Sequence, residues 1–403
     1  MTVTAENAPP APDDSGTPTS QLSEFLKTPD SASTPTGKDE GTHFAPSLYE
    51  VFSSDEVFSS DLVQLSKQHI NFLRSLHRKG ITLSKPSDES VRRYLELWLP
   101  FVAKYQQHSL IPPGDIAWLW HCHRLAPYKY LSYVRERYSS DSSSSSYFLD
   151  PSNPFMFQLN GYRYIGDTGF EDFVKYNSQC DATIELFQDM YPKESFFLDD
   201  NCVVPSTGTS LSTKPGGFDV VESCERQAKF LWQVSQPNFS SDEFLHNGKT
   251  NYEKFARLLS SPAKPTYIVP NYQIDLMWHT HILVSLEKYH HDHINLTGRI
   301  LPHDDSLNDR TEGGVLDTNF QATKKLWLET YNEEYVVPGG MYCGEPPVEF
   351  FRPDWESKVA RATANSFNSW MSIDDCHAYI AARPKSTVPS LNSNPPINGY
   401  VSA

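Results

Sequence analysis

The sequence predicts a mainly α-helical protein built from a duplicated multi-helix unit, with minor short β segments and disordered N- and C-terminal tails. Three observations support this prediction. Apolar residues recur at steps of three and four through much of the chain. A Trp-His-x-His motif occurs twice with similar flanking residues. Both ends are rich in Pro, Ser and Thr and poor in large apolar residues, a composition that cannot offset the entropy of ordering.

The helical pattern begins with "DLVQLSKQHINFLRSL", where apolar residues and His69 follow the spacing of one helix face. "SDESVRRYLELWLPFV" opens with Ser87 and Asp88 as cap candidates and continues with apolar residues at helical steps. Further helices are expected near 114–136, 171–190, 219–235, 242–260, 273–296 and 318–335. Strand signals are limited to a short hairpin in "PFMFQLNGYRYIG" and a short strand at 348–351.

An internal repeat is the strongest signal in the sequence. At an offset of 158 residues (270 minus 112), one set of residues matches another: Pro112, Trp120, His121 and His123 match Pro270, Trp278, His279 and His281. A tyrosine follows each motif, Tyr130 in the first and Tyr289 in the second. Downstream, "TIELFQDMYPKE" at 183–194 matches "TKKLWLETYNEE" at 323–334. Copies of this kind commonly pack face to face, because each alone leaves apolar surface uncovered.

The repeat and the composition together predict the domain organisation. Two helical units, each with one Trp-His-x-His motif, are expected at 47–200 and 218–345, joined by a linker at 201–217. The predicted flanking segments are an acidic disordered tail at 1–46, a C-terminal extension at 346–383 and a disordered tail at 384–403.

The Trp-His-x-His motif favours packing over chemistry. Residues i and i+2 of a helix differ by about 200°, so His121 and His123 point apart, as do His279 and His281. We therefore interpret the motif as aromatic and histidine packing at a seam between helices, with Trp120, Trp278, Tyr130 and Tyr289 as packing residues. The alternative is that the four histidines meet across the two copies and bind zinc or another transition metal.

Two further polar groupings accompany the motif. Asp275 precedes His279 by four residues, so the carboxylate could hold the imidazole, whereas Ala117 occupies the matched position of the first copy. In "YHHDH" at 289–293, His290 and His293 share a helix face and form a weaker metal candidate. There we favour solvated histidines at a helix end. Gly114, Asp115 and Asn271 are expected N-terminal caps, and Pro127 is expected to end or kink the first motif helix.

Charge and composition narrow the function class. The formal net charge of −16 opposes nucleic-acid binding, and the sequence has no apolar run near the ~20 residues that cross a bilayer. Widely spaced cysteines and a polar start predict a cytoplasmic protein, with the nucleus also open. No catalytic motif is present, so an enzyme is not favoured. Candidate phosphorylation sites are the Thr-Pro steps at Thr17, Thr28 and Thr34.

The paired motifs, their flanking Pro and Tyr residues and the continuation "PGGMYCGEPP" at 338–347 resemble the glycine-rich domain-containing protein-like family. The resemblance covers roughly 47–345. It implies no established activity; similar domains of plant members precede Gly-rich and sometimes RNA-recognition segments. We therefore expect a protein-interaction or regulatory module with unknown protein partners. The alternatives are a metal-dependent enzyme or metal-binding protein and, opposed by the charge, an RNA-associated protein.

Overall fold

A computed structural model describes residues 57–78, 83–139, 149–150, 157, 159–160, 170–198, 214–303, 311–347 and 350, with only the backbone described for 170–177. The described residues are mainly helical and contain no strand. Both predicted tails, the three Thr-Pro threonines and most of the predicted linker, hairpin and strand lie outside these residues. No helix in the described part has the length and apolar character needed to span a bilayer.

The first copy of the repeat carries helices at the predicted positions. Ser87 begins the second of them by accepting a hydrogen bond from the backbone N–H of Ser90, as predicted. Pro127 begins a new helix, so the first motif helix ends before it. The elements are α1 (Leu62–Arg78), α2 (Asp88–Arg92), a π-helical segment (Arg93–Trp98), α3 (Leu99–Lys104), α4 (Gly114–Arg124), α5 (Pro127–Tyr138) and α6 (Phe170–Met190).

The second copy repeats the order of helices. Its elements are α7 (Val220–Val234), α8 (Asp242–Leu258), α9 (Tyr272–Val284), α10 (Leu286–Thr297) and α11 (Val315–Tyr331). Asn271 caps α9 as predicted, by accepting from the N–H of Ile274. The single helix expected over 273–296 is broken at Ser285, which adopts extended backbone angles (φ −166°, ψ 121°) and caps α10 through the N–H of Lys288.

One predicted cap is wrong. Neither Gly114 nor Asp115 caps α4; the residue before the helix is Pro113, and no side chain caps that end. The Asp115 carboxylate instead accepts from Arg93 Nε at 3.0 Å, and both side chains are buried. A buried carboxylate needs a charged or hydrogen-bonded partner. The Asp115 carboxylate finds that partner in Arg93 and therefore does not cap the helix.

The duplication predicted from the sequence is confirmed by matched hydrogen bonds. Thr183 Oγ1, on α6, accepts from the backbone N–H of Ile111 at 3.2 Å. Thr323 Oγ1, at the matched position of α11, accepts from the N–H of Val269 at 3.1 Å. In each copy the last helix thereby holds the segment that leads into the motif helix.

The two copies exchange their leading segments. Helix α1 of the first copy packs mainly against α8 and α9 of the second, and α7 of the second packs mainly against α4 of the first. The aromatic residue before each leading helix also packs against the other copy. Phe58 packs on His281 with ring centroids 5.1 Å apart, and Phe218 stacks on His123, also at 5.1 Å. The motif helices thus lie where both copies meet.

Candidate functional site

The motif helices α4 and α9 form the centre of the described fold. All residues of α4 are buried, as are those of α9 from Tyr272 to Leu283. Trp120 is 7% exposed and Trp278 is 5% exposed, so the predicted burial of both tryptophans is confirmed. These helices carry polar side chains on every face, and each buried polar group therefore needs a hydrogen-bond partner inside the protein.

Each motif tryptophan uses the tyrosine that follows it. Trp120 Nε1 donates to the hydroxyl of Tyr130 at 3.0 Å, and Trp278 Nε1 donates to the hydroxyl of Tyr289 at 2.9 Å. Each tyrosine hydroxyl in turn donates to a backbone carbonyl, at Leu149 in the first copy and at Leu301 in the second. The tyrosine that follows each motif is thus explained by a hydrogen bond between consecutive helices.

The second histidine of each motif points into its own copy. His123 Nδ1 lies 2.8 Å from the hydroxyl of Tyr94, and His281 Nδ1 lies 3.2 Å from the hydroxyl of Tyr252. Burial lowers the pKa of His123 to about 3. Burial also lowers the pKa of His281, although its hydrogen bond to Asp292 acts in the opposite direction. Both imidazoles are therefore neutral at pH 7 and serve as hydrogen-bond groups of the core.

The first histidine of the first copy points to the seam and meets His69, which the sequence placed on one face of the first helix. His69, on α1, lies 2.9 Å from His121 between the two Nε2 atoms and 3.0 Å from Thr280 Oγ1 through its Nδ1. Thr280 donates its proton to the carbonyl of Leu276 and so accepts from His69 Nδ1–H. The lone pair of His69 Nε2 then accepts from His121 Nε2–H, which fixes both tautomers.

The first histidine of the second copy has a different environment. Neither ring nitrogen of His279 makes a hydrogen bond within the described part of the chain, although its side chain is 0% exposed. Its Nε2 lies 3.4 Å from Asp275 Oδ1, so the predicted pairing of these residues is geometrically close. The ring of His303 lies at 4.8 Å, centroid to centroid, and stands nearly perpendicular to that of His279.

Asp275, His279 and His303 are the one group among the described residues whose ligand atoms have spacing suited to a metal ion. One oxygen and two ring nitrogens lie within 4.8 Å of one another, and all three residues are buried. Of the four motif histidines, the structure brings only His279 into such a group. His303 was missed by the sequence interpretation, because it lies in a short segment after α10 that has no helical periodicity.

The expectation of solvated histidines in "YHHDH" is wrong. His290 is 3% exposed and His293 is 0% exposed. His293 Nε2 lies 2.8 Å from the hydroxyl of Tyr252, while His281 Nε2 lies 3.1 Å from Asp292 Oδ2. The face of α10 that looked like a helix end in water is covered by the first copy, by Tyr128 of α5 at His290 and by Phe58 of the leading segment at His293.

Asp292 connects that leading segment to the second copy. Its Oδ2 accepts from both the backbone N–H and the hydroxyl of Ser59, at 2.8 and 2.9 Å. Burial raises the pKa of Asp292, but the hydrogen bonds from His281 and Ser59 outweigh burial and hold the pKa below its usual value. The ionised carboxylate therefore joins the exchanged segment to the second motif helix.

These features define a class: duplicated helical proteins whose copies meet through buried Trp-His-x-His helices. The family model of glycine-rich domain-containing protein-like (GRDP-like) proteins matches residues 38–132 and 162–292, which is more than half of the chain. The chain belongs to this family.

Two curated relatives from Arabidopsis thaliana show how the matched region relates to longer proteins. Glycine-rich domain-containing protein 1 is 32% identical over 314 residues, and glycine-rich domain-containing protein 2 is 31% identical over 301 residues. The matches cover 75% and 72% of this chain and 35% of each relative, so the chain spans about a third of their length. No solved structure gives a significant match.

Proposed function

We propose that the helical body is a protein-interaction module with a regulatory role and no catalytic site of its own, acting in the cytoplasm. The observation that carries the proposal is the burial of the motif side chains. Trp120, Trp278 and the four motif histidines are each at most 7% exposed. Side chains that no substrate can reach serve the scaffold, which leaves recognition to the surface.

Two further observations support this role. The matched region is about a third of each longer relative, as expected for one module among others. The cysteines that the structure describes, Cys122, Cys180, Cys224 and Cys343, are free thiols, which fits a reducing compartment such as the cytoplasm.

The partner-binding position that we propose is the side of α11 that exposes Leu328. Four of the seven large apolar side chains that are well exposed in the described part lie on α11 or in segments beside it: Tyr267, Val315, Leu328 and Val336. Leu328 is 48% exposed, whereas the matched position of α6 carries the polar residue Gln188. A partner that presents apolar side chains would remove this surface from water.

The experiment identifies the proteins that cross-link to the full chain in cells of the source organism, and it compares the wild-type chain with two variants. Leu328→Asp should abolish the cross-linking of a specific partner. The matched change Gln188→Asp should preserve it, because that position is exposed and already polar. Both variants should keep the wild-type melting temperature. A partner captured equally by both variants, or no partner specific to the folded chain, would contradict the proposed interaction face.

A further inference from the structure

We propose that Asp275, His279 and His303 bind a divalent transition-metal ion at the seam between the two copies. The three ligand atoms lie within 4.8 Å of one another in a fully buried setting. Two nitrogens and one carboxylate oxygen are a ligand set used by Zn²⁺ and by other first-row dications. This inference stands apart from the proposed interaction role, since it concerns the core rather than the surface.

His279 is the observation that points to a ligand. It is completely buried, and neither of its ring nitrogens has a hydrogen bond in the part of the chain that the structure describes. The matched His121 lies in the same seam but bonds to His69. A buried imidazole without hydrogen bonds is destabilising, and coordination through Nε2 would satisfy one of its two ring nitrogens.

His303 is arranged as metal-binding histidines usually are. Its Nδ1 lies 2.7 Å from the backbone carbonyl of Leu125, which can only accept a hydrogen bond. Nδ1 therefore carries the proton in the neutral ring, and Nε2 carries the lone pair. A backbone carbonyl in this role fixes the ring orientation and raises its basicity as a ligand. Because Leu125 belongs to the first copy and His303 to the second, the ion would connect the copies.

Charge and tautomer suit a cation. His279 is fully buried, and a neutral imidazole coordinates through the lone pair of one ring nitrogen. Asp275, one turn before His279 on the same helix, supplies a carboxylate ligand. Around a tetrahedral Zn²⁺ the ligand atoms would lie roughly 3.4 Å apart, so a separation of 4.8 Å must close by about 1.4 Å. Side-chain torsions can supply that movement.

The two copies differ at one position that decides where the site forms. The place of Asp275 is taken in the first copy by Ala117, and His121 is already occupied by its hydrogen bond to His69. The duplicated seam thus offers an internal control. Loss of His121 should leave metal binding intact, whereas loss of Asp275, His279 or His303 should abolish it.

The test titrates the chelator-treated full chain with Zn²⁺ by calorimetry and with Co²⁺ by visible absorption. Wild-type protein should take up one equivalent of either ion, show the visible bands of nitrogen- and oxygen-bound Co²⁺ and melt at a higher temperature with Zn²⁺. Asp275→Ala, which reproduces the residue of the first copy, and His303→Gln should each weaken binding at least about 100-fold, given that loss of even a supporting hydrogen bond costs 10–100-fold.

The matched variant His121→Gln should still take up one equivalent. Far-ultraviolet circular dichroism of each metal-free variant distinguishes loss of the site from loss of the fold. The proposal is overturned if folded wild-type protein takes up no ion. It is also overturned if folded Asp275→Ala and His303→Gln bind Zn²⁺ as tightly as wild type does.

Discussion

Trp278 Nε1 donates a hydrogen bond of 2.9 Å to the hydroxyl of Tyr289, eleven residues later on the following helix. The same bond joins Trp120 to Tyr130, ten residues apart, in the first copy. A tryptophan has one donor and no acceptor, so a neighbouring group that accepts stabilises its burial. The Trp-Tyr pair thus explains why each motif is followed by a tyrosine and why the motif helix is held to its successor.

Removing the tyrosine hydroxyl should destabilise the protein more than its small size suggests. Tyr289→Phe leaves the buried indole N–H of Trp278 without its acceptor, and we expect a loss of about 1–3 kcal/mol in the free energy of unfolding. Trp278→Ala should cost about 3–5 kcal/mol. Denaturant unfolding measures both changes. The matched control is Tyr267→Phe at an exposed tyrosine, which should stay within about 0.5 kcal/mol of wild type; an equal effect there would contradict the prediction.

Acid should unfold the protein in a defined pH window. Burial lowers the pKa of His69, His123 and His293 to about 3 and that of His290 to about 4. Between these values and the ordinary 6.5, the unfolded chain binds more protons than the folded one. Stability is therefore complete above pH 6.5 and falls as the pH drops towards 3, by up to about 1.4 kcal/mol per pH unit for each histidine.

The measurement for this prediction is the unfolding free energy from pH 8 to pH 4. The variant His123→Phe removes one buried imidazole. It should reduce the slope of the unfolding free energy against pH by up to about 1.4 kcal/mol per pH unit, the contribution of one proton. His246→Gln, at an exposed histidine, should leave the slope unchanged. A profile that stays flat through this range would contradict the assignment of neutral, buried histidines.

The hydrogen-bonded chain of Thr280, His69 and His121 should behave as one unit. We expect a double-mutant cycle of His69→Ala and His121→Ala to give a coupling of about 0.5–3 kcal/mol, because each change alone leaves the other ring without its partner. Denaturant unfolding of the four proteins supplies the cycle. The matched cycle of His69→Ala with His123→Ala, which share no hydrogen bond, should be closer to additive. Additivity in the first cycle would show that the Nε2–Nε2 contact contributes no stability.

The helices, the duplication and the burial of the motif tryptophans could be predicted, because periodicity and repeated spacing are local properties of the sequence. The opposite directions of His121 and His123 followed from helix geometry alone. The environment of His69 could not be predicted, since its partners come from two other helices, one in each copy. His303 had no pattern to mark it, and His290 and His293 were misjudged because their neighbours, such as Tyr128, Tyr252 and Phe58, are distant in sequence.

The exchange of leading segments is the central claim, and Phe58 tests it most directly. Phe58 contacts Tyr252 and His281 of the second copy, with ring centroids 5.0 and 5.1 Å away. Phe58→Ala should therefore speed backbone hydrogen exchange in α8, α9 and α10, although the substitution lies at the start of the first copy. Phe218→Ala, the matched change, should speed exchange in α4 and α5. Hydrogen exchange would be measured by mass spectrometry of peptides. Faster exchange in α2 to α5 with α8 to α10 still protected in Phe58→Ala would contradict the swap of leading segments between the copies.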